Sequence, residues 1–395
     1  MSLPAIVSTV PAFVTDFGGP YVSKSGMARA LAAKGCDVTI LTTDMAGIDG
    51  RRVARDEHQA QVELWHAWGV RLVRMPYSVH YRWATASMYA PSAVWQALRR
   101  GRQLRGAVIT HIAGYREGLG TTASLVAQTL RVPVVWEPMG MARPAGRSLI
   151  KKAAVDNTVG QLTLRRADRI IVTSPVEHSD LLAVGIAPQS LYLRANGLEA
   201  LPAWLQQGDP VSWRATARQR LGLTADEPLV LYLGRITERK GLVTIAQALR
   251  SAPGRFYLVG PDENDGTWPR VQAELGERAV MPGAVHGDAK WDWLAAADRF
   301  VLAPTYGENF AMSALEAAAV GTPLVLSPAV GFGSMMPAGA GQIVEPEVSA
   351  WSQALRTQVP KVSADDVQRL RRQFSWDVIV ESQLDLYRQV LEARH

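Results

Sequence analysis

The chain has one cysteine, Cys36, in 395 residues. A single thiol cannot build a disulfide framework or a thiolate metal cluster within one chain. The sequence also contains no His-Glu-x-x-His and no Cys-x-x-Cys segment, so it offers no recognisable zinc site. A disulfide-stabilised secreted domain and a zinc protein are both disfavoured, and we expect a reducing, cytoplasmic setting.

Long apolar segments are missing as well. No run approaches the roughly 18 residues that a membrane-spanning helix needs. The opening segment 3–7 is apolar, but no basic residue precedes it, so a core strand fits better than a secretory signal. There is also no tandem repeat and no low-complexity tract. We therefore expect an ordinary globular protein.

The composition agrees, with 48% hydrophobic and 20% charged residues, and the length predicts two to three domains. The net charge of +6 is unevenly distributed. Residues 1–197 carry 23 Lys or Arg and 13 Asp or Glu, a net +10, whereas the remainder carries 19 and 23, a net −4. This asymmetry indicates two units with different partners, the first suited to an anionic one.

Short runs rich in Val, Ile and Leu alternate with helical segments in both halves. Apolar strands of this length are buried on both faces, which predicts parallel sheets covered by helices. Turn formers cluster over residues 197–228, where the charge sign also changes. We predict an α/β protein with two Rossmann-like doubly wound domains facing a central cleft, where such sheets bind ligands. The predicted strands cover residues 5–10, 37–42, 70–75, 107–112, 132–136 and 169–173, then 229–233, 256–259, 300–303, 323–327 and 342–344.

Two strand-to-helix loops in the second half carry charged side chains. Arg235 and Lys240 follow the strand at 229–233, and a guanidinium with an ammonium five residues away suits a diphosphate. Glu308 and Glu316 flank the start of another helix, where carboxylates could accept hydrogen bonds from sugar hydroxyls. The alternatives are a solvated basic turn for the first pair and a solvated helix face for the second.

Together these loops resemble the carboxyl-terminal domain of retaining GT-B glycosyltransferases of family 4. That family has a Gly-Arg…Lys-Gly loop, here Gly234-Arg235…Lys240-Gly241, followed by a Glu-x7-Glu segment, here Glu308…Glu316. Residues 258–262, 282–285 and 294–298 agree as well, and the Gly18-Gly19-Pro20 turn resembles the glycine loop of the first domain. The segment Glu308-Asn309-Phe310 is similar to the one found in a bacterial branch of the family that acts on surface polysaccharides.

The resemblance implies a retaining sugar transfer from a UDP- or GDP-sugar to a hydroxyl of a lipid-linked or polysaccharide acceptor. It implies an acceptor-binding domain over residues 1–196, a nucleotide-sugar-binding domain over 197–375, and a final helix, 376–395, that returns to the first domain. Since the sequence contains no Asp-x-Asp segment, we expect neither a metal nor another cofactor besides the nucleotide-sugar co-substrate.

The resemblance also implies roles for individual residues. Arg235 and Lys240 would hold the donor diphosphate and stabilise its departure, Glu308 would bind the transferred sugar, and Glu316 the ribose. These three charged loop residues, Arg235, Lys240 and Glu308, are the implied catalytic groups. The implied donor site comprises Gly18, Gly19, Arg235, Lys240, Gly260, Val285, Glu308, Asn309, Phe310, Ala311, Met312, Ser313 and Glu316.

On the acceptor side we expect His111, Tyr115 and Met139. Met139 stands where many relatives carry a histidine, so a catalytic histidine is not implied there. The alternative for His111 is a structural histidine satisfied inside the protein. Ala311 stands where relatives often have glycine, which narrows the approach of the backbone to the sugar.

Two other functions stay open at this point. Gly118 and Gly120, with Glu137 downstream, fit a Gly-x-Gly-x-x-Ala fingerprint, which would indicate an NAD(P)-dependent oxidoreductase. The preceding strand ends six residues too early for that motif, however. The other alternative is a non-catalytic protein that binds a sugar nucleotide.

The basic first half contains arginines and lysines that follow several aromatic residues. Such a surface could rest on anionic membrane headgroups, which would place a cytoplasmic protein at the inner face of the membrane. The alternative is an ordinary solvated arginine-rich helix, and no recognised nucleic-acid-binding module is present. The basic residues are Arg99, Arg100, Arg102, Arg105, Arg143, Arg147, Lys151, Lys152, Arg165 and Arg166.

Overall fold

A computed structural model describes residues 3–46, 51–76, 90–142, 160–224, 227–357 and 362–394. The chain divides into two compact units. Unit 1 consists of Met1–Gly197 with Trp376–His395, and unit 2 consists of Leu198–Ser375. Each unit is a parallel sheet covered by helices, which confirms the predicted fold class. The basic residues 143, 147, 151 and 152 lie outside the described residues.

Unit 1 contains a seven-stranded parallel sheet in the order β3-β2-β1-β4-β5-β6-β7. The central strands are almost entirely buried, as expected for a sheet with helices on both faces. The strands are β1 Ala5–Ala12, β2 Asp37–Thr43, β3 Val70–Met75, β4 Val108–Ala113, β5 Val134–Glu137, β6 Arg169–Val172 and β7 Leu191–Leu193.

Seven described helices cover this sheet. The last one buries its apolar face, including Leu384 and Val390, in the same core cluster as Ile6, Val38 and Ile109 of the sheet. The helices are α1 Gly19–Ala33, α2 Arg55–Ala67, α3 Pro91–Arg105, α4 Gly118–Thr129, α5 Gln161–Arg165, α6 Pro175–Ala183 and, from the end of the chain, α14 Trp376–Glu392.

Unit 2 contains a six-stranded parallel sheet in the order β10-β9-β8-β11-β12-β13. Its strands are β8 Leu229–Leu233, β9 Arg255–Val259, β10 Ala279–Gly283, β11 Arg299–Leu302, β12 Leu324–Leu326 and β13 Gly341–Ile343. Its helices are α7 Pro210–Leu221, α8 Leu242–Leu249, α9 Thr267–Leu275, α10 Ala289–Ala296, α11 Met312–Ala319, α12 Val348–Arg356 and α13 Ala364–Gln373.

The strand order reverses between β1 and β4 in unit 1 and between β8 and β11 in unit 2. In open α/β sheets the loops that leave the carboxyl ends of such strands form the ligand site. The predicted charged loops of the second half leave β8 and β11, so both lie at the reversal point of unit 2. In the described part of the chain, no helix is long and apolar enough to cross a membrane.

Candidate active site

The two loops at the reversal point of unit 2 meet at a glycine. Gly241 has φ +69°, and a Cβ atom there would lie 1.9 Å from the carbonyl oxygen of Ala303. Only glycine therefore permits the two loops to come this close. A hydrogen bond of 3.3 Å, donated by Ala303 N to Lys240 O, also joins them. The loop after β8 is thereby fixed against the end of β11.

Lys240 and Glu308 form an ion pair across these loops. Their side chains are 11% and 18% exposed, so both are largely desolvated but still reach solvent. A shielded pair of this kind is held in place before any ligand arrives. It presents an ammonium suited to phosphate beside a carboxylate suited to hydroxyl groups.

Arg235 lies on the same loop and is ion-paired with Glu263. The Arg235 side chain is 42% exposed. Its position is supported from below, because the Tyr232 hydroxyl donates a 2.7 Å hydrogen bond to Arg235 O. Gly260 lies directly behind this loop, since a Cβ atom there would be 2.0 Å from Gly234 O. Arg235 thus extends from a rigid turn toward solvent.

The segment after Glu308 is pinned to a second loop. Gly331 N donates to Glu308 O at 2.9 Å, and Phe332 N donates to Phe310 O at 3.2 Å. The ring of Phe310 packs 5.6 Å from that of Phe332 and 6.4 Å from that of Phe374, measured between centroids. These contacts hold the predicted donor-binding backbone in one conformation.

Helix α11 begins directly after Ala311, which has φ +63°. An alanine in the left-handed region is strained, which gives a physical reason why glycine suits this position in relatives. Met312 and Ser313 form the half-buried first turn, and Asn309 is half-buried just before it. The structure therefore brings the residues from Glu308 to Ser313 into one strand-to-helix turn.

Glu316 lies one turn further along α11 and is 3% exposed. Lys290 donates a 2.8 Å hydrogen bond to its Oε1 and is also ion-paired with Glu199. Burial raises the pKa of Glu316, although the ammonium opposes this. Burial would lower the pKa of Lys290, but the two carboxylates outweigh it and raise that pKa. Sequence reasoning missed Lys290 and Glu199, because nothing in their spacing marks them.

The remaining donor candidates belong to other segments of the chain. Val285 is half-buried just after β10 in unit 2. Gly18 and Gly19 belong to unit 1, where Gly18 has φ +60° and caps the start of α1 after β1. Among the residues that the structure describes, no group of three or more His, Cys, Asp or Glu side chains is placed to hold a metal ion.

The acceptor candidates of unit 1 lie in β4, just after β4 and just after β5. His111 is 3% exposed, with Nδ1 2.6 Å from the Tyr387 hydroxyl and Nε2 3.2 Å from Glu137 Oε2. Tyr115 is also 3% exposed and packs edge-on against Trp136. The structure thus places both side chains beneath the protein surface, which agrees with the structural alternative for His111. Met139 is half-buried after β5, with φ +58°.

Glu137 lies at the centre of a buried cluster that sequence reasoning did not anticipate. Lys24 is ion-paired with its Oε1, and Arg194 donates to its Oε2 at 2.8 Å. Burial alone would raise the pKa of Glu137, but Arg194 and Lys24 hold it well below its usual range. Burial lowers the pKa of Lys24 to about 8 and also lowers that of His111.

This cluster bears on the oxidoreductase alternative. Gly118 and Gly120 are buried residues at the start of α4, which begins five residues beyond the end of β4. Glu137 is enclosed by two cations and has no exposed oxygen to offer a ribose. The dinucleotide fingerprint of the sequence therefore lacks the structural context that its chemistry requires.

Comparison with known proteins agrees with the charged loops of unit 2. Residues 18–197 match the Glycosyl transferase 4-like domain, and residues 227–359 match the Glycosyl transferases group 1 family. Together the two family models span most of the chain. The chain is 26% identical, over 299 residues, to a D-inositol 3-phosphate glycosyltransferase from Xylanimonas cellulosilytica, covering 70% of each protein.

Two solved structures share the fold. Sucrose-phosphate synthase from Thermosynechococcus elongatus aligns with a TM-score of 0.72 at 22% identity, covering 99% of this chain and 100% of the other. Anabaena HepE in complex with UDP aligns with a TM-score of 0.73 at 16% identity, covering 98% of this chain and 100% of the other. These findings confirm the resemblance seen in the sequence: the chain belongs to the GT-B glycosyltransferases of family 4.

Proposed function

We propose that this glycosyltransferase moves a sugar from a UDP- or GDP-sugar to a hydroxyl of a lipid-linked or polysaccharide acceptor in surface-glycan synthesis, with retention at the anomeric carbon. The observation that carries the proposal is the Lys240–Glu308 ion pair at the reversal point of unit 2, with Arg235 on the same loop. Lys240 and Arg235, paired with Glu308 and Glu263, lie on a loop at the edge where a parallel sheet of this kind binds its ligand.

The chemistry follows from charge. When the bond between sugar and diphosphate breaks, negative charge develops on the departing phosphate oxygens, and positioned cations lower the barrier to that step. Lys240 and Arg235 would supply this charge without a metal ion. Glu308 would accept hydrogen bonds from hydroxyls of the sugar, while the departing phosphate takes the proton of the acceptor hydroxyl on the same face. That geometry retains the anomeric configuration.

The proposal of a lipid-linked acceptor is supported by the exposed side chains of α3 in unit 1. The exposed side of α3 carries Trp95, which is 41% exposed, with the Arg99 guanidinium 4.5 Å from its ring centroid. Leu104 is 56% exposed on the same helix, between Arg102 and Arg105 in its last turn. Aromatic, aliphatic and basic side chains in this combination suit the surface of an anionic membrane, where a lipid-linked acceptor would be found.

The donor is tested first, with matched variants. We would screen UDP, GDP and their common sugars by thermal shift, because a ligand of the folded state raises the melting temperature. Release of nucleoside diphosphate is then compared for wild type, Lys240→Met and Arg239→Met. Arg239 is exposed and adjacent to Lys240, so its variant controls for a lost positive charge. We expect loss of turnover only in Lys240→Met, and activity unchanged by EDTA; equal losses in both variants would contradict the proposal.

The acceptor is tested with the same donor. Transfer is measured to a lipid-linked sugar in anionic vesicles and, in parallel, to D-inositol 3-phosphate, the compound named for the curated relatives. Preferential transfer to the lipid-linked sugar, with the anomeric configuration kept by NMR, supports the proposal. Transfer to the inositol phosphate alone would contradict a role in surface-glycan synthesis and would show that the acceptor is a small phosphorylated polyol.

A further inference from the structure

Lys290 connects three segments that are distant in sequence. It lies in the first turn of α10, its Nζ donates to Glu316 Oε1 on α11 at 2.8 Å, and it is ion-paired with Glu199 on the segment that follows β7. The ammonium also lies 5.0 Å from the centroid of the Trp291 ring. The Lys290 and Glu316 side chains are 14% and 4% exposed. The Lys290 side chain is therefore packed against Glu316 inside unit 2 rather than extended into solvent.

A carboxylate as buried as that of Glu316 is unstable in its charged form unless a cation compensates it. This matters for binding, because an ionised carboxylate accepts hydrogen bonds with both oxygens, whereas a protonated one must donate from one of them. Lys290 occupies Oε1, which leaves Oε2 as the acceptor for a ligand. Glu199 opposes this effect, since its negative charge also acts on Glu316.

We propose that Lys290 is a positioning residue for the ribose of the nucleotide: by binding Oε1, it keeps Glu316 ionised and directs Oε2 toward the ribose hydroxyls. The inference rests on the proposed function, because it takes the ligand of Glu316 to be a ribose. Glu199 holds the lysine from the other side and weakens its effect on Glu316. Lys290 favours the ionised form of Glu316, whereas Glu199 disfavours it. Removing the charge of each in turn should therefore change nucleotide affinity in opposite directions.

The test measures nucleotide affinity by calorimetry between pH 6 and 8.5, using UDP, GDP and their 2′,3′-dideoxy counterparts. The proteins are full-length wild type, Lys290→Met, Lys290→Arg and Glu199→Gln. In Lys290→Met we expect the affinity for the ribonucleotide to fall about tenfold or more at pH 6 and to recover toward pH 8.5, as Glu316 ionises. Lys290→Arg restores binding, because a guanidinium can also pair with Oε1.

The other arms isolate the ribose. Glu199→Gln is expected to bind the ribonucleotide at least as tightly as wild type, with no loss at pH 6. The dideoxynucleotides should bind wild type and Lys290→Met with equal affinity, because they lack the hydroxyls that Glu316 would contact.

Specific results would overturn the inference. A loss in Lys290→Met that is independent of pH, or equal for nucleotides with and without ribose hydroxyls, would reduce the lysine to a purely structural role. If Lys290→Met does not fold, a loss at pH 6 in Lys290→Arg or in Glu199→Gln would do the same. If wild type binds neither UDP nor GDP, the proposed function itself fails, which is a different result.

Discussion

Both units bury charged side chains at the carboxyl ends of their strands, but they do so differently. In unit 1, Glu137 is enclosed by Lys24, Arg194 and His111, and all four are at most 4% exposed. In unit 2, Glu308 is paired with the ammonium of Lys240, the one cationic partner within the described residues, and remains in contact with solvent. The number of partners and the access to solvent, rather than burial alone, distinguish the two arrangements.

The difference separates a structural role from a binding role. The Glu137 side chain is 1% exposed, so no ligand reaches its carboxylate from solvent, and Lys24 and Arg194 are each ion-paired with it. The cluster joins α1, β4, β5 and the segment after β7, so it stabilises unit 1. Glu308 is 18% exposed and pairs with Lys240 through Oε2, so its other oxygen can accept a hydrogen bond from a ligand. Part of the positive charge of the first half, that of Lys24 and Arg194, is thus buried in ion pairs instead of lying on the surface.

Neutralising Glu137 is expected to have the largest effect on unit 1. Glu137→Gln leaves Lys24 and Arg194 buried without a counter-charge, which we expect to cost about 3–5 kcal/mol of unfolding free energy. Hydrogen exchange followed by mass spectrometry should show faster exchange through unfolding in β4 and β5. Glu308→Gln is the matched control, and it should leave exchange in these strands unchanged. Wild-type exchange in Glu137→Gln would show that the cluster is not a stabilising element.

For catalysis, we expect the substitution of Glu308 to have a large effect. Glu308→Gln removes a charged acceptor for the sugar and should lower kcat by about 100-fold, since one positioned polar group in an active site is worth that much. The measurement is release of nucleoside diphosphate at saturating donor. Its fold should stay close to wild type by circular dichroism. Full activity in this variant would remove Glu308 from the site.

A pH series tests the closed cluster more finely. The pKa of Lys24 is lowered to about 8 by burial, so between pH 8 and about 10 the unfolded chain binds more protons than the folded one. Stability must then rise with pH in this window. Compared with Lys24→Met in urea denaturation, wild type should gain about 1–2 kcal/mol between pH 8 and 9.5. A constant difference between the two proteins would contradict a charged, buried Lys24.

The smallest effect concerns the backbone of the open site. Ala311→Gly relieves the left-handed strain at φ +63° and should raise the free energy of unfolding by about 0.5–1 kcal/mol. Gly241→Ala is the opposite control, because its new Cβ would collide with Ala303 O and destabilise unit 2. Thermal denaturation compares the three proteins. A lower melting temperature in Ala311→Gly would show that the alanine is not strained.

Much of this arrangement could be predicted from the sequence, because local patterns determine it. The apolar strands and the two charged loops of unit 2 follow from short segments, and strand order then places both loops at one edge. The strands β7 and β10 were missed, since the first has three residues and the second contains Pro282 and Gly283. Such segments carry little of the pattern that marks a buried strand.

The charge partners could not be predicted, because they join residues far apart along the chain. Lys290 and Glu199 are 91 residues apart, and Glu137 and Arg194 are 57 apart. No spacing rule applies over such distances, and only the packing of α1, α10 and α11 on their sheets brings the partners together. For the same reason His111 could be placed at the end of a strand but not assigned to the interior.

We expect the charged loops of unit 2, and not the buried Glu137 cluster of unit 1, to bind the nucleotide. Hydrogen exchange of the wild-type enzyme with and without saturating UDP or GDP tests this most directly. We expect slower exchange over residues 234–241 and 307–316, with the segments 118–123 and 134–137 unchanged. Protection of 118–137 instead, or no protection of the unit 2 loops by either nucleotide, would contradict it.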